Sequence, residues 1–324
     1  MHYNIIFDFK QINEFLCYNL NGGNMNIIDY IDKYGETSFE EKTITEVDKL
    51  IFALLSYVKY DGIVSTMSFT KKTIEEVGRT YFEKYTKKDI KNNIFSIRDA
   101  INVLEKIYTK KRYKDLLMYN DVYIGDDSQQ FSAVCIELSP RLVFVSFEGT
   151  DQLISGWEED CKMSYKFPVP AQKLAIKYLN KHFTFRDCEL IVAGHSKGGN
   201  LALVSSMYAN FIVKNKIREI YSYDGTGLRD EQFNSNRYKT VKDKYNLIIP
   251  NSCIVGLLLK HDVKRVIKAN RRGVMAHHAL RWEIKEDDFI DSELSLSSKL
   301  FDEGLSTWYN KYNDDQREEF VKYV

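Results

Sequence analysis

The stretch that most constrains the fold of this chain is a short apolar run followed by a glycine-rich turn. Residues 190–202 read Leu-Ile-Val-Ala-Gly-His-Ser-Lys-Gly-Gly-Asn-Leu-Ala. This order predicts a buried strand, a sharp turn and a helix, and the turn carries the pattern Gly-x-Ser-x-Gly at Gly194, Ser196 and Gly198. Such a corner exposes the serine side chain at the edge of a sheet, beside the positive end of a helix. The alternative is a tight turn with an exposed serine and no chemistry.

Strands and helices alternate around this turn. The apolar runs 131–138 and 142–147 flank a Ser-Pro-Arg turn and predict a hairpin. The following segments are a helix at 170–183, the strand and helix of the turn (the helix to about 215), and strands at 217–223, 245–249 and 263–269. This alternation is typical of a mostly parallel sheet with helices on both faces, so an α/β fold is predicted.

The chain is predicted to contain one domain, residues 24–324, after a loosely attached arm at 1–23. Within this domain, residues 69–118 are charged and helical in period. Their alternating lysines and glutamates predict a solvated helical face, and a helical cap over a pocket is the functional alternative, so we name residues 69–118 the cap-like segment. Residues 287–324 are predicted to form a helical tail.

Composition argues against several classes of partner. Lys plus Arg and Asp plus Glu both number 46, so no net field favours nucleic acid. We expect no transmembrane segment and no signal peptide, because the apolar runs are short. The five cysteines are scattered and form no CxxC pair, which indicates reduced thiols and a cytoplasmic location.

No cofactor and no metal ion are expected. The carboxylates of Glu158, Glu159 and Asp160 are contiguous, so on a helix they point in different directions, and no histidine lies near them. A locally hydrogen-bonded or solvated run is the interpretation we adopt for them.

A serine hydroxyl needs a general base to become a nucleophile, and that base needs a carboxylate to orient it. In this type of turn the chain order is serine, acid, histidine. His277 and His278 follow the last predicted strand, where the base belongs, and His277 is preferred while His278 stays open. We expect the His195 side chain to point away from the face that carries Ser196.

Two aspartates are candidates for the acid. Asp224 ends the strand at 217–223, although it could instead cap a turn through its own side chain. Asp262 is the competitor. For the oxyanion hole, one donor is expected to be the main-chain N–H of Lys197, and the other is expected from the Gly-Thr loop at Thr150, whose hydroxyl could add a contact.

Six motifs in this chain occur together in one known family. They are Phe-Glu-Gly-Thr-Asp at 147–151, Gly-Trp-Glu-Glu-Asp at 156–160, Pro-Val-Pro-Ala-Gln at 168–172, Gly-His-Ser-Lys-Gly-Gly-Asn at 194–200, Asp-Gly-Thr-Gly at 224–227 and Ile-Val-Gly-Leu-Leu at 254–258. Over about residues 24–285 the chain resembles a bacterial family of lipase-like α/β hydrolases, common in Firmicutes and known as a domain of unknown function. More weakly, it is similar to the class 3 lipases, which share the Gly-Thr loop and the Gly-His-Ser-x-Gly-Gly turn.

This resemblance implies an α/β-hydrolase fold and a serine hydrolase with Ser196 as nucleophile and His277 as base. The implied reaction is cleavage of a carboxylic ester, from a small molecule or an acyl lipid, through an acyl-enzyme on Ser196. The chain departs from class 3 lipases at Lys197, where they have leucine, and in its acid, which they carry near Ser252 or Cys253. Family members also commonly have His-Asp where this chain has His277-His278.

Three functions stay open from the sequence. The first is the ester hydrolase. The second is an acyltransferase or thioesterase that uses the same site and differs only in the group that attacks the acyl-enzyme. The third is a non-catalytic binding protein with a hydrolase-like fold.

Overall fold

The computed structural model describes residues 24–126, 129–150 and 161–322. The predicted arm at 1–23 and the acidic run at 158–160 lie outside the described residues. The division of the remaining chain into one domain with a cap-like segment at 69–118 and a tail at 287–324 stays a prediction.

An eight-stranded sheet forms the centre of the described structure, and its strands lie side by side in chain order. They are β1 Lys72–Thr73, β2 Leu117–Asp126, β3 Gln129–Ser139, β4 Leu142–Phe147, β5 Glu189–His195, β6 Ile217–Tyr223, β7 Tyr245–Pro250 and β8 Val263–Ile267. Strands β1 to β4 pair antiparallel, and β4 to β8 pair parallel. The predicted hairpin and the predicted mostly parallel sheet are confirmed. A separate antiparallel pair consists of β9 Ile284–Lys285 and β10 Asp288–Phe289.

Helices surround this sheet. In the N-terminal part they are α1 Ile27–Tyr34, α2 Glu46–Leu54, α3 Ile74–Lys84, α4 Lys87–Lys91 and α5 Phe95–Ile107. In the C-terminal part they are α6 Pro170–Phe183, α7 Lys197–Tyr208, α8 Phe211–Lys216, α9 Asp230–Phe233, α10 Asn236–Lys239, α11 Leu296–Lys311 and α12 Asp314–Val321. Short 3-10 helices cover Leu55–Tyr57, Lys242–Lys244, Val255–Leu257, Gly273–His277 and Ala279–Arg281.

Two apolar cores lie on opposite faces of the sheet. Along β5, Ile191 and Ala193 join the core formed with α1, α2 and α5, whereas Leu190 and Val192 join the core formed with α6 and α7. The alternation follows from the two-residue period of a strand. A mostly parallel sheet covered by helices on both faces is the α/β-hydrolase fold, as predicted.

Two predicted helices are shorter than expected. The helix predicted to continue to residue 117 ends at Ile107, because the chain then turns around the buried Arg112 side chain, whose Nε donates to Asp48 Oδ1 at 3.0 Å. The helix predicted to run to 215 breaks after Tyr208, since Asn210 adopts an extended conformation and caps α8 through its side chain.

The carboxyl ends of the central strands converge at one edge of the sheet. Phe147 at the end of β4 pairs with Gly194, and His195 at the end of β5 pairs with Tyr223 of β6. The residues that follow these strands, Ser196 and Asp224 among them, therefore lie together, as ligand sites do at this edge of open α/β sheets.

Candidate active site

Ser196 occupies a strained corner between β5 and α7. Its φ is +59° and its ψ is −134°, a conformation that residues with a side chain rarely adopt. The backbone is packed closely here, because a Cβ atom on Gly194 would lie 2.2 Å from the Gly198 carbonyl carbon. The predicted strand, turn and helix are all present, and the turn places Ser196 in the wall of a cavity.

This cavity has a volume of about 510 Å³ and a largely apolar lining. The loop after β7 contributes aliphatic side chains to it, and α11 and α12 contribute aromatic ones. The apolar lining includes Ile254, Val255, Leu258, Leu305, Trp308 and Phe320.

The structure brings His277 and Asp224 together. Asp224 follows β6 with a φ of +49° and is fully buried. Its Oδ2 lies 2.6 Å from Nδ1 of His277, and its Oδ1 accepts a hydrogen bond of 2.9 Å from the main-chain N–H of Gly256. Both oxygens of the carboxylate therefore have a partner. One partner is the His277 ring, which lines the cavity.

The two competing residues lie in other environments. Asp262 is 3.0 Å from Nζ of Lys242 and accepts from the hydroxyl of Tyr238 at 3.4 Å. His278 also lines the cavity, but its ring packs edge-on against Phe95 with centroids 4.4 Å apart. Burial and the neighbouring His277 lower the pKa of His278.

Ser196 and His277 line the same cavity, and the ring nitrogen of His277 that contacts Asp224 is Nδ1 and not Nε2. In the part of the chain that the structure describes, no hydrogen bond joins the Ser196 hydroxyl to the His277 ring. Such contacts are often long before substrate binds and tighten in the reacting complex.

The loop after β4 passes directly against the serine. A Cβ atom on Gly149 would lie 2.9 Å from Cβ of Ser196 and 2.0 Å from the hydroxyl oxygen of Tyr57. The next residue, Thr150, lines the cavity together with Ser196. The preceding residue, Glu148, is buried and accepts two hydrogen bonds from Nζ of Lys59, at 2.6 and 2.7 Å.

Lys197 begins α7, so its main-chain N–H lies at the N-terminus of that helix, directly after Ser196. Its side chain is buried and extends toward β3, where Nζ lies 3.4 Å from the main-chain oxygen and from Oε1 of Gln130. The main-chain N–H of Lys197 thus lies beside Ser196, whereas its ammonium group lies beside Gln130 of β3.

The expectation that His195 points away from the serine's face is wrong. His195 lines the same cavity as Ser196, its Nε2 lies 2.9 Å from the main-chain oxygen of His277, and its Nδ1 lies 2.9 Å from the hydroxyl of Tyr57. In the two-residue alternation of β5 its ring lies on the side of the first apolar core, where its centroid is 6.0 Å from that of Trp282. Tyr57 was missed because it lies 138 residues before His195 and belongs to no local motif.

The described residues contain neither a cluster of metal ligands nor a membrane-spanning helix. Over residues 24–126, 129–150 and 161–322, no group of three or more His, Cys, Asp or Glu side chains is placed to hold a metal ion. In the same residues, no helix has both the length and the apolar character needed to cross a bilayer.

The chain is similar to solved structures of lipases. With M37 lipase it shares 15% identity over 64% of this chain and 67% of that one, with a TM-score of 0.39. With the Rhizomucor miehei lipase propeptide complex it shares 14% identity over 70% of each chain, with a TM-score of 0.36. The lipase from Rhizopus microsporus var. chinensis matches at 14% identity over 57% of this chain and 69% of its own, with a TM-score of 0.34. These low values carry no argument about activity.

A family model gives the stronger comparison. No curated protein matches the chain. The model of the Mbeg1-like family, a lipase-like family, matches residues 107–324. The predicted relation to a lipase-like family is confirmed, while the bacterial origin of that family stays a prediction. Because the match covers more than half of the sequence, the chain belongs to the Mbeg1-like family.

Proposed function

We propose that this protein is a serine hydrolase that cleaves a carboxylic ester through an acyl-enzyme on Ser196. The observation that carries the proposal is the convergence of Ser196, held at positive φ, and the His277–Asp224 pair on one apolar cavity. A nucleophile, a base and an orienting carboxylate in this order are the parts that acyl transfer requires.

In the acylation step, Ser196 Oγ attacks the ester carbonyl carbon while His277 Nε2 takes the hydroxyl proton. Asp224 fixes the tautomer of His277 and stabilises the imidazolium that forms. The imidazolium gives the proton to the leaving alkoxide as the carbon–oxygen bond breaks. Water then gives a proton to His277 and attacks the acyl carbonyl carbon. The bond between that carbon and Ser196 Oγ breaks, His277 returns the proton to Oγ, and the carboxylic acid leaves.

The oxyanion of the tetrahedral intermediate needs donors already in place. We assign this role to the main-chain N–H of Lys197 and to Thr150, because the former follows the nucleophile and the latter lines the same cavity. One such donor contributes roughly 3–4 kcal/mol to the lowering of the barrier. The buried Lys59–Glu148 ion pair supports the loop that carries Thr150.

The cavity supports an apolar acyl group as the part of the substrate that binds there. Its described lining contains no lysine or arginine side chain, so no permanently charged group there favours a substrate with an anionic acyl chain. Each methylene moved from water to such a surface contributes about 0.8 kcal/mol. An acyl ester, from a small molecule or a lipid, is the substrate class that we propose.

The thiols support the proposed cytoplasmic location. Cys135, Cys161, Cys188 and Cys253 form no disulfide among the described residues, and Cys161 is exposed. Free thiols are the usual state of cysteine in a reducing compartment. Cys17 lies outside the described residues.

The test is covalent labelling with a fluorophosphonate probe, together with turnover of p-nitrophenyl esters. We expect labelling and turnover in the unsubstituted protein and in Ser164→Ala, and neither in Ser196→Ala. Ser164 is the matched control because it also lines the cavity, with its hydroxyl donating to the carbonyl of Cys161.

Equal labelling of Ser196→Ala would contradict the proposal. Absence of labelling in the unsubstituted protein would also contradict it and would favour a binding protein. An increase in turnover on addition of an alcohol or thiol acceptor would assign the same site to an acyltransferase.

A further inference from the structure

We infer that His195 and Tyr57 are positioning residues, which hold the backbone of His277 so that its ring reaches both Asp224 and Ser196. This inference rests on the function proposed above. It comes from a continuous set of contacts, in which Tyr57 contacts the His195 ring and that ring contacts the His277 carbonyl.

The contacts fix which His195 nitrogen carries the proton. A carbonyl oxygen only accepts, so Nε2 of His195, which lies 2.9 Å from the His277 oxygen, must be the protonated nitrogen. Nδ1 is then an acceptor, and the Tyr57 hydroxyl at 2.9 Å donates to it. Burial and the nearby His277 ring lower the pKa of His195 well below its usual value, which keeps this ring neutral.

The base is thereby held at two points. Its ring contacts Asp224 at 2.6 Å, and its carbonyl accepts from His195 at 2.9 Å. The preceding carbonyl, that of Ala276, accepts from Nε1 of the buried Trp282, also at 2.9 Å. The last two residues of the 3-10 helix Gly273–His277 thus each receive a hydrogen bond from a buried ring, in a loop whose outer residues are exposed.

Tyr57 connects this contact to the proposed oxyanion loop. Its hydroxyl lies where a Cβ atom on Gly149 would come within 2.0 Å, and it also lies 3.3 Å from the main-chain oxygen of His195. One hydroxyl therefore touches the loop after β4 and the residue before the nucleophile. The histidine in Gly-His-Ser-x-Gly is thus given a role in setting the distance between nucleophile and base.

The test compares His195→Leu, His195→Gln and Tyr57→Phe with the unsubstituted protein. Leucine removes the donor, whereas glutamine keeps an N–H near the position of Nε2. We expect His195→Leu to lower kcat on the order of 10- to 100-fold, because small misplacements of a base cost that much. KM should change much less than kcat, because the main loss comes from the misplaced base and not from weaker binding of the ester. His195→Gln should recover most of the rate, and Tyr57→Phe should fall between the two.

A second readout does not depend on activity. The proton between His277 Nδ1 and Asp224 should give a low-field resonance in the proton NMR spectrum, assigned by its loss in Asp224→Asn. We expect it to shift or disappear in His195→Leu and to persist in His195→Gln. Thermal unfolding of each variant shows whether it is folded, and Tyr57→Phe carries the test if His195→Leu does not fold.

An unshifted resonance in folded His195→Leu, or a kcat within about twofold of the unsubstituted protein, would overturn the inference. So would equal losses in His195→Leu and His195→Gln. Failure of the proposed function has a different signature, because Ser196→Ala would then keep its label or its activity while the resonance still reports the position of His277.

Discussion

The edge of the sheet and the C-terminal helices form two sides of one cavity, and they are built differently. At the sheet edge, Ser196 and Asp224 are buried, hold positive φ angles and follow neighbouring parallel strands. On the other side, α11 and α12 contribute side chains such as Trp308 and Phe320, and Phe320 is 53% exposed. The backbone conformation fixes the positions of the residues on the first side. The second side consists of helix side chains, one of which is largely exposed.

The helical side is attached through apolar and polar contacts, and Phe301 of α11 packs against the core formed with α6 and α7. Tyr309 donates to the carbonyl of Ser164 at 2.7 Å, and Arg229 lies 2.6 Å from Asp314. The difference teaches that substitutions at the sheet edge should change the rate of the chemical step, whereas substitutions in the helices should change which substrate is preferred.

The largest expected effect is that of Asp224→Asn at the sheet edge. The amide no longer selects the tautomer of His277 and no longer stabilises its charged form. We expect kcat to fall by about three to four orders of magnitude, the scale found when a serine protease triad loses this carboxylate. Steady-state kinetics with a p-nitrophenyl ester would measure the loss.

Asp262→Asn is the matched control. Asp262 pairs with Lys242 outside the cavity lining, so this change should leave kcat within about twofold. A larger loss in Asp262→Asn than in Asp224→Asn would assign the acid to Asp262. The claim that Asp224 at the sheet edge sets the rate of the chemical step would then be wrong.

The second effect is that of Gly149→Ala. The added methyl group would lie 2.0 Å from the Tyr57 hydroxyl and 2.6 Å from the His195 carbonyl oxygen, so the loop must move away from Ser196. We expect kcat to fall about 100- to 1000-fold, the scale for losing one oxyanion donor. Rates of ester turnover and of fluorophosphonate labelling would both report it, and unchanged rates would exclude this loop from the reaction.

Some of this site could be predicted from the sequence because its signals are local. The corner at Ser196 depends on residues within a few positions, and the glycine pattern identifies it. The pairing of Asp224 with His277 spans 53 residues. Sequence alone does not choose it over Asp262 and His278, because the order of the strands decides which carboxylate reaches the base.

Two other features of the structure could not be predicted from the sequence, because they depend on contacts between distant residues. The contact of Tyr57 with His195 joins residues 138 positions apart, the first before β1 and the second at the end of β5. The end of α5 depends on Arg112, whose guanidinium donates to four main-chain carbonyls and to Asp48. The periodicity of residues 97–117 favours a helix throughout, so tertiary contacts override it.

The third effect belongs to the helical side and is that of Trp308→Ala. Removing the indole takes apolar surface from the cavity, so esters whose acyl chains reach it should lose affinity. We expect kcat/KM for such esters to fall about 10-fold, since apolar contacts of this size contribute about 1–3 kcal/mol. The acetate ester should change by less than about twofold. With a series of p-nitrophenyl esters of increasing acyl length, kcat/KM of Trp308→Ala should rise less steeply with length than kcat/KM of the unsubstituted protein.

The matched control for lost aromatic surface is Phe185→Ala, because that side chain is 98% exposed and does not line the cavity. Its dependence on acyl length should equal that of the unsubstituted protein. If Trp308→Ala instead lowered all esters equally, the helical side would act on the chemical step, and the division between rate and preference would fail.

The smallest expected effect is that of Gly304→Ala. This substitution stabilises α11 and tests whether turnover is independent of movement of that helix. Gly304 lies inside α11, and a Cβ atom added there would meet nothing within 4 Å. Alanine should raise the free energy of unfolding by about 0.5–1 kcal/mol, because glycine is a poor helix former. Calorimetry should show a Tm higher by about 1–4 °C. The values of kcat and of the acyl preference should not change. A fall in kcat together with the higher Tm would mean that movement of α11 contributes to turnover, and the two sides of the cavity would then have to be treated as one unit.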